Sequence, residues 1–518
     1  MADSYDVVII GGGAAGLSGA VALARFRRSV LVVDAGDPRN APAGHVHNFL
    51  TRDDTSPAEI YARGRAEVTR YGGEVEQGRV TALDRDDDGF RVSMGDRVVG
   101  ARRVLLATGL RDELPDIPGL AERWGIDVLH CPYCHGWEVR DQRIGVLATG
   151  PMAMHQVALF RQLSARVTLL RHRGPDLTDE QQEELAALGI TVVDGEVEEV
   201  ESTSGGLSGV CLADGRRVGL DALVVAPRFT ARAELVVPLG LKPVDLRAGD
   251  YVVGTRIEAD PTGATAVPGL WVAGNATDLQ AQVVTSAAAG LMAGAAINVD
   301  LIGEDTRRAV ENHRFEAVHG QAAWEERYQS RRHIWSGNPN PTLVTEATPL
   351  PPGTALDVGC GEGADAIWLA ARGWTVTGID LSPTALARAA EHGRERGFDI
   401  TWRHVDLTRE ALDPTTYDLV TAHFLHLPRK ARRAVFADVV AAVASGGTLL
   451  IVGHDPSDIG TTMPRHNLAE MGWTAAEIVE SLDEDWTIEV AEARPRPAID
   501  PEGREITIHD AVVRARRR

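Results

Sequence analysis

Four cysteines in 518 residues are too few to staple a fold, so a disulfide scaffold is excluded. Two cysteines that stand close together then point to redox chemistry or a metal rather than to structure. The N-terminus, MADSYDVVII, has no basic stretch, no small-residue cleavage site and no apolar run near the length of a membrane span. A soluble, cytoplasmic chain with no membrane partner is expected. Positive charge is also short. Lys and Arg number 53 against 74 Asp and Glu, a formal charge of −21. A protein that wraps nucleic acid by neutralising phosphates is not expected at that charge. The basic ending, Arg514 to Arg518, reads as a solvated tail. What remains is ordinary for a globular chain: 44% apolar and 25% charged residues. At roughly 150 residues per domain, the length suggests about three domains.

Glycine is abundant, and it clusters in short loops after apolar runs, where backbone can approach a phosphate. Val7-Val8-Ile9-Ile10 runs into GGGAAGLSGAVALA, and Ala355-Leu356-Asp357-Val358 runs into GCGEGADAIWLAARG. The two loops differ in residue type, which argues for two nucleotide sites rather than a repeat. A third strand–loop–helix pattern lies between them at Arg143 to Leu163. Strand and helix patterns alternate throughout, so parallel sheets covered by helices are predicted.

Gly11, Gly13 and Gly16 form G-x-G-x-x-G directly after a strand. The first allows a tight turn, the second lets a pyrophosphate approach, and the third lets helix pack on strand. The helix N-terminus offers free N–H groups to the phosphates. Asp34 ends the next strand, where an acid would meet a ribose hydroxyl. Two later segments carry further signal: VLLATG, ending in Thr108 and Gly109, and GLWVAGNATD, with Gly274, Asn275 and Asp278. On these residues, roughly 1 to 303 resemble the two-dinucleotide-fold flavoproteins, and specifically the low-molecular-weight thioredoxin reductases. The resemblance implies FAD, enclosed by the ATG strand and the later AGD-type segment. Asn275 stands where the family carries Asp and can still donate and accept hydrogen bonds.

Cys131-Pro132-Tyr133-Cys134-His135-Gly136 is the most informative stretch. C-x-x-C puts two sulfurs within disulfide reach and favours thiolate near neutral pH. Half a zinc site is the alternative. Cys211 and Cys360 supply no second C-x-x-C, though histidines could complete one. No metal is expected. The resemblance makes Cys134 the flavin-facing thiol and Cys131 the interchange thiol. The reductases have Asp after the second Cys; His135 stands here and suits proton transfer near pH 7. C-x-x-C-H-G is also similar to the dithiol oxidases of disulfide-containing natural products. His45 and His47 fall in a loop that approaches the flavin in this family, and are second-rank candidates beside an ordinary surface role.

For a nicotinamide site, the middle fingerprint should read G-x-G-x-x-A. Ala148, Gly150 and Ala153 stand there, with Pro151 removing an N–H. The next strand ends in Arg171-His172-Arg173, like the cluster that holds a 2′-phosphate in NADPH-using relatives. The turn is degraded and the basic cluster partly survives, so NADPH is left open.

Asp357, Gly359, Gly361 and Gly363 sit in D-V-G-C-G-E-G. This resembles motif I of class I S-adenosylmethionine-dependent methyltransferases. The resemblance places Asp380 on the ribose hydroxyls and Asp406 near the adenine amino group, with charge-assisted bonds to the Asp380 carboxylate. His423 and Phe424 follow the fourth strand, where substrate or donor is met. His423 or His426 could deprotonate a weaker acceptor, and the sequence selects neither. Trp335 could cover the donor or sit in the core. Cys360 is read as a packing residue. No aromatic–basic interleaving for nucleic acid is present, so a small-molecule acceptor is favoured.

The expected architecture is α/β: a Rossmann-like FAD domain at 1–113 and 243–303, an inserted NAD(P)-type redox-disulfide domain at 114–242, a linker at 304–320, and a Rossmann-like methyltransferase domain at 321–518. The expected function is bifunctional. A Cys131–Cys134 flavoprotein oxidises a small dithiol with O2, and a methyltransferase modifies a small molecule that could be a thiol. The runner-up is an NADPH-dependent thioredoxin reductase-type enzyme with an unrelated methyl acceptor. A redox sensor that binds both cofactors without turnover is third. By resemblance, the assembly is a homodimer.

Overall fold

A computed structural model describes residues 3–86, 89–412, 415–425, 427, 429–463 and 471–518. The chain divides into two compact units, Met1–Glu304 and Asp305–Arg518.

The first unit is built on a seven-stranded sheet. Its parallel part runs Glu74–Gln77, Val30–Asp34, Ser4–Ile10, Arg97–Leu106, with Leu270–Val272 paired to the end of the last strand. Ala82–Asp86 and Gly89–Met94 extend it as an antiparallel hairpin. Val7, Val8 and Ile9 are fully buried. That near-continuous apolar run is what a strand covered on both faces requires. The helix Ala14–Arg25 covers one face, and Gly290 of the helix Val283–His319 passes so close that a Cβ there would lie 1.9 Å from Ala15 O. By length and composition that second helix could cross a membrane. Its Ala293, Ile297 and Leu301 are instead packed against the sheet core.

A five-stranded parallel sheet follows, in the order Thr191–Val193, Val167–Leu170, Ile144–Leu147, Ala222–Val225, Val128–Leu129. A smaller sheet joins Leu110–Glu113 to Arg228–Ala231 and then to Tyr251–Arg256 and Val244–Ala248. Ala231, Ala233, Val236 and Leu241 pack into the core of the first sheet. The return crossing therefore falls near residue 226, ahead of the boundary at 242 drawn from the sequence. Burial of this apolar group decides it, and no local signal marks it.

The second unit is one seven-stranded sheet. The order is Thr401–His404, Thr375–Asp380, Thr354–Val358, Tyr417–His423, Val443–His454, Glu505–Arg517, Trp486–Ile499. The first five strands are parallel and the last two pair antiparallel. The basic C-terminus is thus not a solvated tail. Arg514 bonds Glu346 and Glu489 at 2.7 and 2.8 Å, and Glu346 is buried. A buried carboxylate needs such partners. The stretch expected as a linker, 304–320, is helical through His319.

Candidate active sites

The first unit encloses a cavity of about 1480 Å³. Gly11, Gly13, Asp34, Thr108, Gly109 and Asn275 line it, as do Cys131, Cys134 and His135. Gly11 has φ +114°, and a Cβ there would lie 2.3 Å from Ala107 O. Gly16 does not reach the cavity; its missing side chain lets the helix sit on Gly11 O, 1.9 Å from where a Cβ would be. Beside Gly13 the space is open for 4 Å. It is the N-cap of the helix Ala14–Arg25, with no side-chain cap bond. Free first-turn N–H groups facing an open cavity are what a pyrophosphate needs. Asp34 lies at the end of its strand, its Oδ1 accepting from Gly36 N at 3.1 Å.

Two residues depart from the sequence reading. Asp278 is exposed and does not line the cavity; its carboxylate accepts from Gln280 N at 3.1 Å. Gly274 is also off the cavity, turning the chain with φ +77°. The lining there comes from 279–283 instead. Asn275 donates to Asp278 O and Ala281 O at 3.0 and 2.8 Å, and accepts from Arg39 at 3.4 Å. An aspartate could not make the two donor bonds. Arg39 was missed. It grips Asp112 with a two-bond fork at 2.8 and 2.7 Å and lies over Phe229. Its partners are remote in sequence, so no local pattern announces it.

Cys131 and Cys134 are disulfide-bonded, with Cα atoms 5.3 Å apart. Pro132–His135 forms one short turn capped by Cys131, which brings both sulfurs to one side. No cluster of three metal-ligating side chains occurs among the described residues. Burial lowers the His135 imidazole's proton affinity, opposed by the charge of Glu138. Its Nε2 is buried with no hydrogen-bond partner among the described residues. His47 joins this group: Nε2 lies 3.4 Å from Glu138 and Nδ1 3.3 Å from Asp53. His45 borders the cavity too, but its side chain is 57% exposed and pairs with Asp54.

At the middle fingerprint, Ala148 is buried against Gly174, and Pro151 opens the helix Met152–Arg161. Two members of the basic cluster form ion pairs with exposed carboxylates. Arg171 pairs with Asp176 at 2.9 Å and Arg173 with Glu196. His172, at φ +43°, accepts from Val197 N at 3.1 Å, and burial lowers its proton affinity.

In the second unit, Gly359, Gly361 and Gly363 all adopt positive φ, which only glycine takes without strain. Asp380 accepts from Gly361 N and Ser382 N, both at 2.9 Å, and burial pushes its carboxyl up. Asp406 accepts from Thr408 N and Oγ1 at 3.0 and 2.6 Å. Asp357 accepts from Thr421 at 3.0 Å, while its Oδ2 is buried without a partner among the described residues. Burial, joined by the charge of Asp365, pushes this carboxyl up to about 7. A cationic ligand group would relieve it. Trp335 is 50% exposed, so it is not a core residue. Its Nε1 donates to Tyr328 OH at 3.0 Å, and both atoms border Gly361. Glu325 locks this segment to Ser382 and Thr384. Cys360 is buried, and burial raises its thiol far above the ordinary value, in keeping with packing. His423 is bonded to Asp365; His426 lies outside the described residues.

Residues 5–293 match the pyridine nucleotide-disulphide oxidoreductase family, and residues 355–447 a methyltransferase domain. The chain belongs to the pyridine nucleotide-disulphide oxidoreductases. Thioredoxin reductase tcpT of Claviceps purpurea is 33% identical over 314 residues, 58% of this chain and 95% of that one. Thioredoxin reductase sirT of Leptosphaeria maculans is 30% identical over 319 residues, with the same shares. The crystal structure of HlmI superposes with a TM-score of 0.55 at 44% identity, covering 60% of this chain and 96% of that one. This oxidoreductase is therefore a thioredoxin reductase-like flavoenzyme joined to an S-adenosylmethionine-dependent methyltransferase. Its cofactors are FAD and S-adenosylmethionine. The open space over Gly13 and the unpartnered Oδ2 of Asp357 fit a pyrophosphate and a donor ammonium respectively.

Proposed function

We propose that the first unit oxidises a small-molecule dithiol to its disulfide with O2 as final electron acceptor, and that the second methylates a small-molecule thiol. One observation carries the oxidase reading: Arg171 and Arg173 are already paired with Asp176 and Glu196, while the Cys131–Cys134 disulfide opens on the flavin cavity. Each arginine would have to exchange its carboxylate partner for a 2′-phosphate, which disfavours the nucleotide modestly.

The cysteines, His135 and the glycine turn divide the work. A substrate thiolate attacks Cys131 Sγ, the Cys131–Cys134 bond breaks, and Cys134 leaves as thiolate. The second substrate sulfur then displaces Cys131, releasing the substrate disulfide. His135, uncharged at neutral pH because it is buried, accepts a thiol proton. Bound FAD supplies the two-electron acceptor that re-forms the pair and passes electrons to oxygen. Tyr133 and Trp137 stand exposed beside the pair and offer ring faces to an apolar substrate.

Both activities remove free thiols, so one small dithiol or disulfide metabolite, or its reactive products, is a substrate common to the two units. A cytoplasmic homodimer is part of this reading; exposed Leu291, Met292 and Val299 offer an apolar face to a second copy. The second reading is an NADPH-dependent disulfide reductase, favoured by the similarity to thioredoxin reductases of Claviceps purpurea and Leptosphaeria maculans. Oxygen uptake against NADPH oxidation, measured with a panel of dithiols and disulfides in wild type and Cys134→Ser, decides between them. Dithiol-driven oxygen uptake that vanishes in the variant supports the oxidase; NADPH-driven disulfide reduction overturns it.

A further inference from the structure

The strand Tyr417–His423 lies parallel to Thr354–Val358, with Asp357 opposite Thr421 and Val358 opposite Ala422. His423 therefore sits at the carboxyl end of its strand, where the neighbouring strand enters the Gly359–Gly363 loop. The sheet order reverses between these two strands, and such a reversal opens the crevice in which α/β sheets bind ligands.

The imidazole is fixed there. Nδ1 lies 2.7 Å from Asp365 Oδ2, and the other Asp365 oxygen accepts from Asn340 N at 2.6 Å. A carboxylate can only accept, so Nδ1 carries a hydrogen, and in the uncharged ring Nε2 then holds the lone pair. The His423 side chain is 6% exposed, and Nε2 has no hydrogen-bond partner among the described residues. The chain turns immediately after it: Phe424 has φ +53°, donates to Val452 O at 2.8 Å and packs its ring 4.7 Å from that of His454. A bulky residue in the left-handed region marks a position that the surrounding structure over-determines. Asp365, His423 and Asp380 all act on the charge of Asp357, which lies opposite Thr421 in the adjoining strand.

We propose that His423, oriented by Asp365, is the general base of the methyl transfer and takes the proton of a weakly acidic thiol acceptor. The S–H bond breaks as Nε2 binds the proton. The freed sulfur pair forms a bond to the methyl carbon, and the bond from that carbon to the sulfonium sulfur breaks. The products are a methyl thioether and S-adenosylhomocysteine, with one positive charge moved from sulfonium to imidazolium. Asp365 is a positioning residue: it fixes the tautomer and faces the imidazolium that forms. The inference rests on the reading of the acceptor as a thiol.

The test uses the full chain and two probe thiols at neutral pH. Phenylmethanethiol arrives protonated, and 4-nitrothiophenol arrives ionised. In His423→Asn, methylation of phenylmethanethiol is expected to fall about 100-fold and that of 4-nitrothiophenol less than about 5-fold. S-adenosylmethionine affinity, read by calorimetry, is expected to stay at the wild-type value. Equal losses on both thiols, or no loss on either, overturn the proposal. If wild type binds S-adenosylmethionine but methylates neither thiol, the thiol reading falls and the inference falls with it. If His423→Asn loses donor affinity, Asp365→Asn decides. The ring ¹⁵N signals of His423 are expected to show hydrogen on Nδ1 in wild type and a mixture of tautomers in Asp365→Asn. An unchanged tautomer there overturns the positioning role.

Discussion

Arg171 is held 2.9 Å from Asp176 across five residues of chain, at the end of the strand where a nicotinamide-dependent relative would present it to a 2′-phosphate. Exchanging this exposed ion pair and that of Arg173 with Glu196 for bonds to a 2′-phosphate would weaken a pyridine nucleotide step by about tenfold. Anaerobic mixing with NADPH is expected to leave the flavin band intact over seconds, whereas a dithiol bleaches it. Asp176→Ala combined with Glu196→Ala is expected to restore part of the NADPH reaction. Rapid full bleaching of wild type by NADPH contradicts the oxidase reading.

The cysteines should separate cleanly. Cys134→Ser is expected to abolish dithiol oxidation while keeping FAD bound. Cys131→Ser is expected to leave a Cys134 thiolate facing the flavin, visible as a long-wavelength absorbance band. A band in Cys134→Ser rather than Cys131→Ser would exchange the two roles.

Burial lowers His135, so its uncharged form prevails at neutral pH. The unfolded chain binds this proton more readily, so the contribution to stability is fully present above about pH 6.5 and declines as pH falls below it. Dithiol oxidation should decline in the same direction. His135→Asn is expected to lower kcat by about 100-fold and flatten that limb of the profile. An unchanged pH–rate profile in the variant rules out the proton-transfer role.

The Asp357 carboxyl, pushed up to about 7, should make donor binding pH-dependent. Ionised above that value, it attracts the donor ammonium; protonated below, it does not. S-adenosylmethionine affinity is expected to fall about tenfold between pH 8 and pH 6. Protein stability without donor runs the other way. A raised carboxyl pKa contributes stability at low pH and loses it as pH rises through about 7. Asp357→Asn, which can keep the bond from Thr421, is expected to melt higher than wild type at pH 8 and to bind the donor more weakly, both readable by calorimetry.

Two glycines one turn apart should fail differently. Gly13→Ala meets no protein atom within 4 Å, so it should fold and emerge with depleted flavin. Gly16→Ala places a methyl 1.9 Å from Gly11 O and should lower the yield of folded protein. Flavin content and thermal melting of the two purified variants distinguish these outcomes.

The sequence by itself determined the fold class, both glycine loops, the cysteine pair and the acids that end their strands. These signals are local. An apolar run, a glycine spacing and a following carboxylate lie within one strand–turn–helix, and the backbone demands of a phosphate fix residue types at fixed offsets. Tertiary structure alone decided what depends on residues far apart in the chain. It joined Arg39 to Asp112 and Asn275, turned Asp278 away from the cavity, paired Arg173 with Glu196, and folded the basic C-terminus into a sheet. It also bonded His423 to an aspartate 58 residues away. Charge pairing and burial depend on distance in space, and no spacing along the chain encodes them.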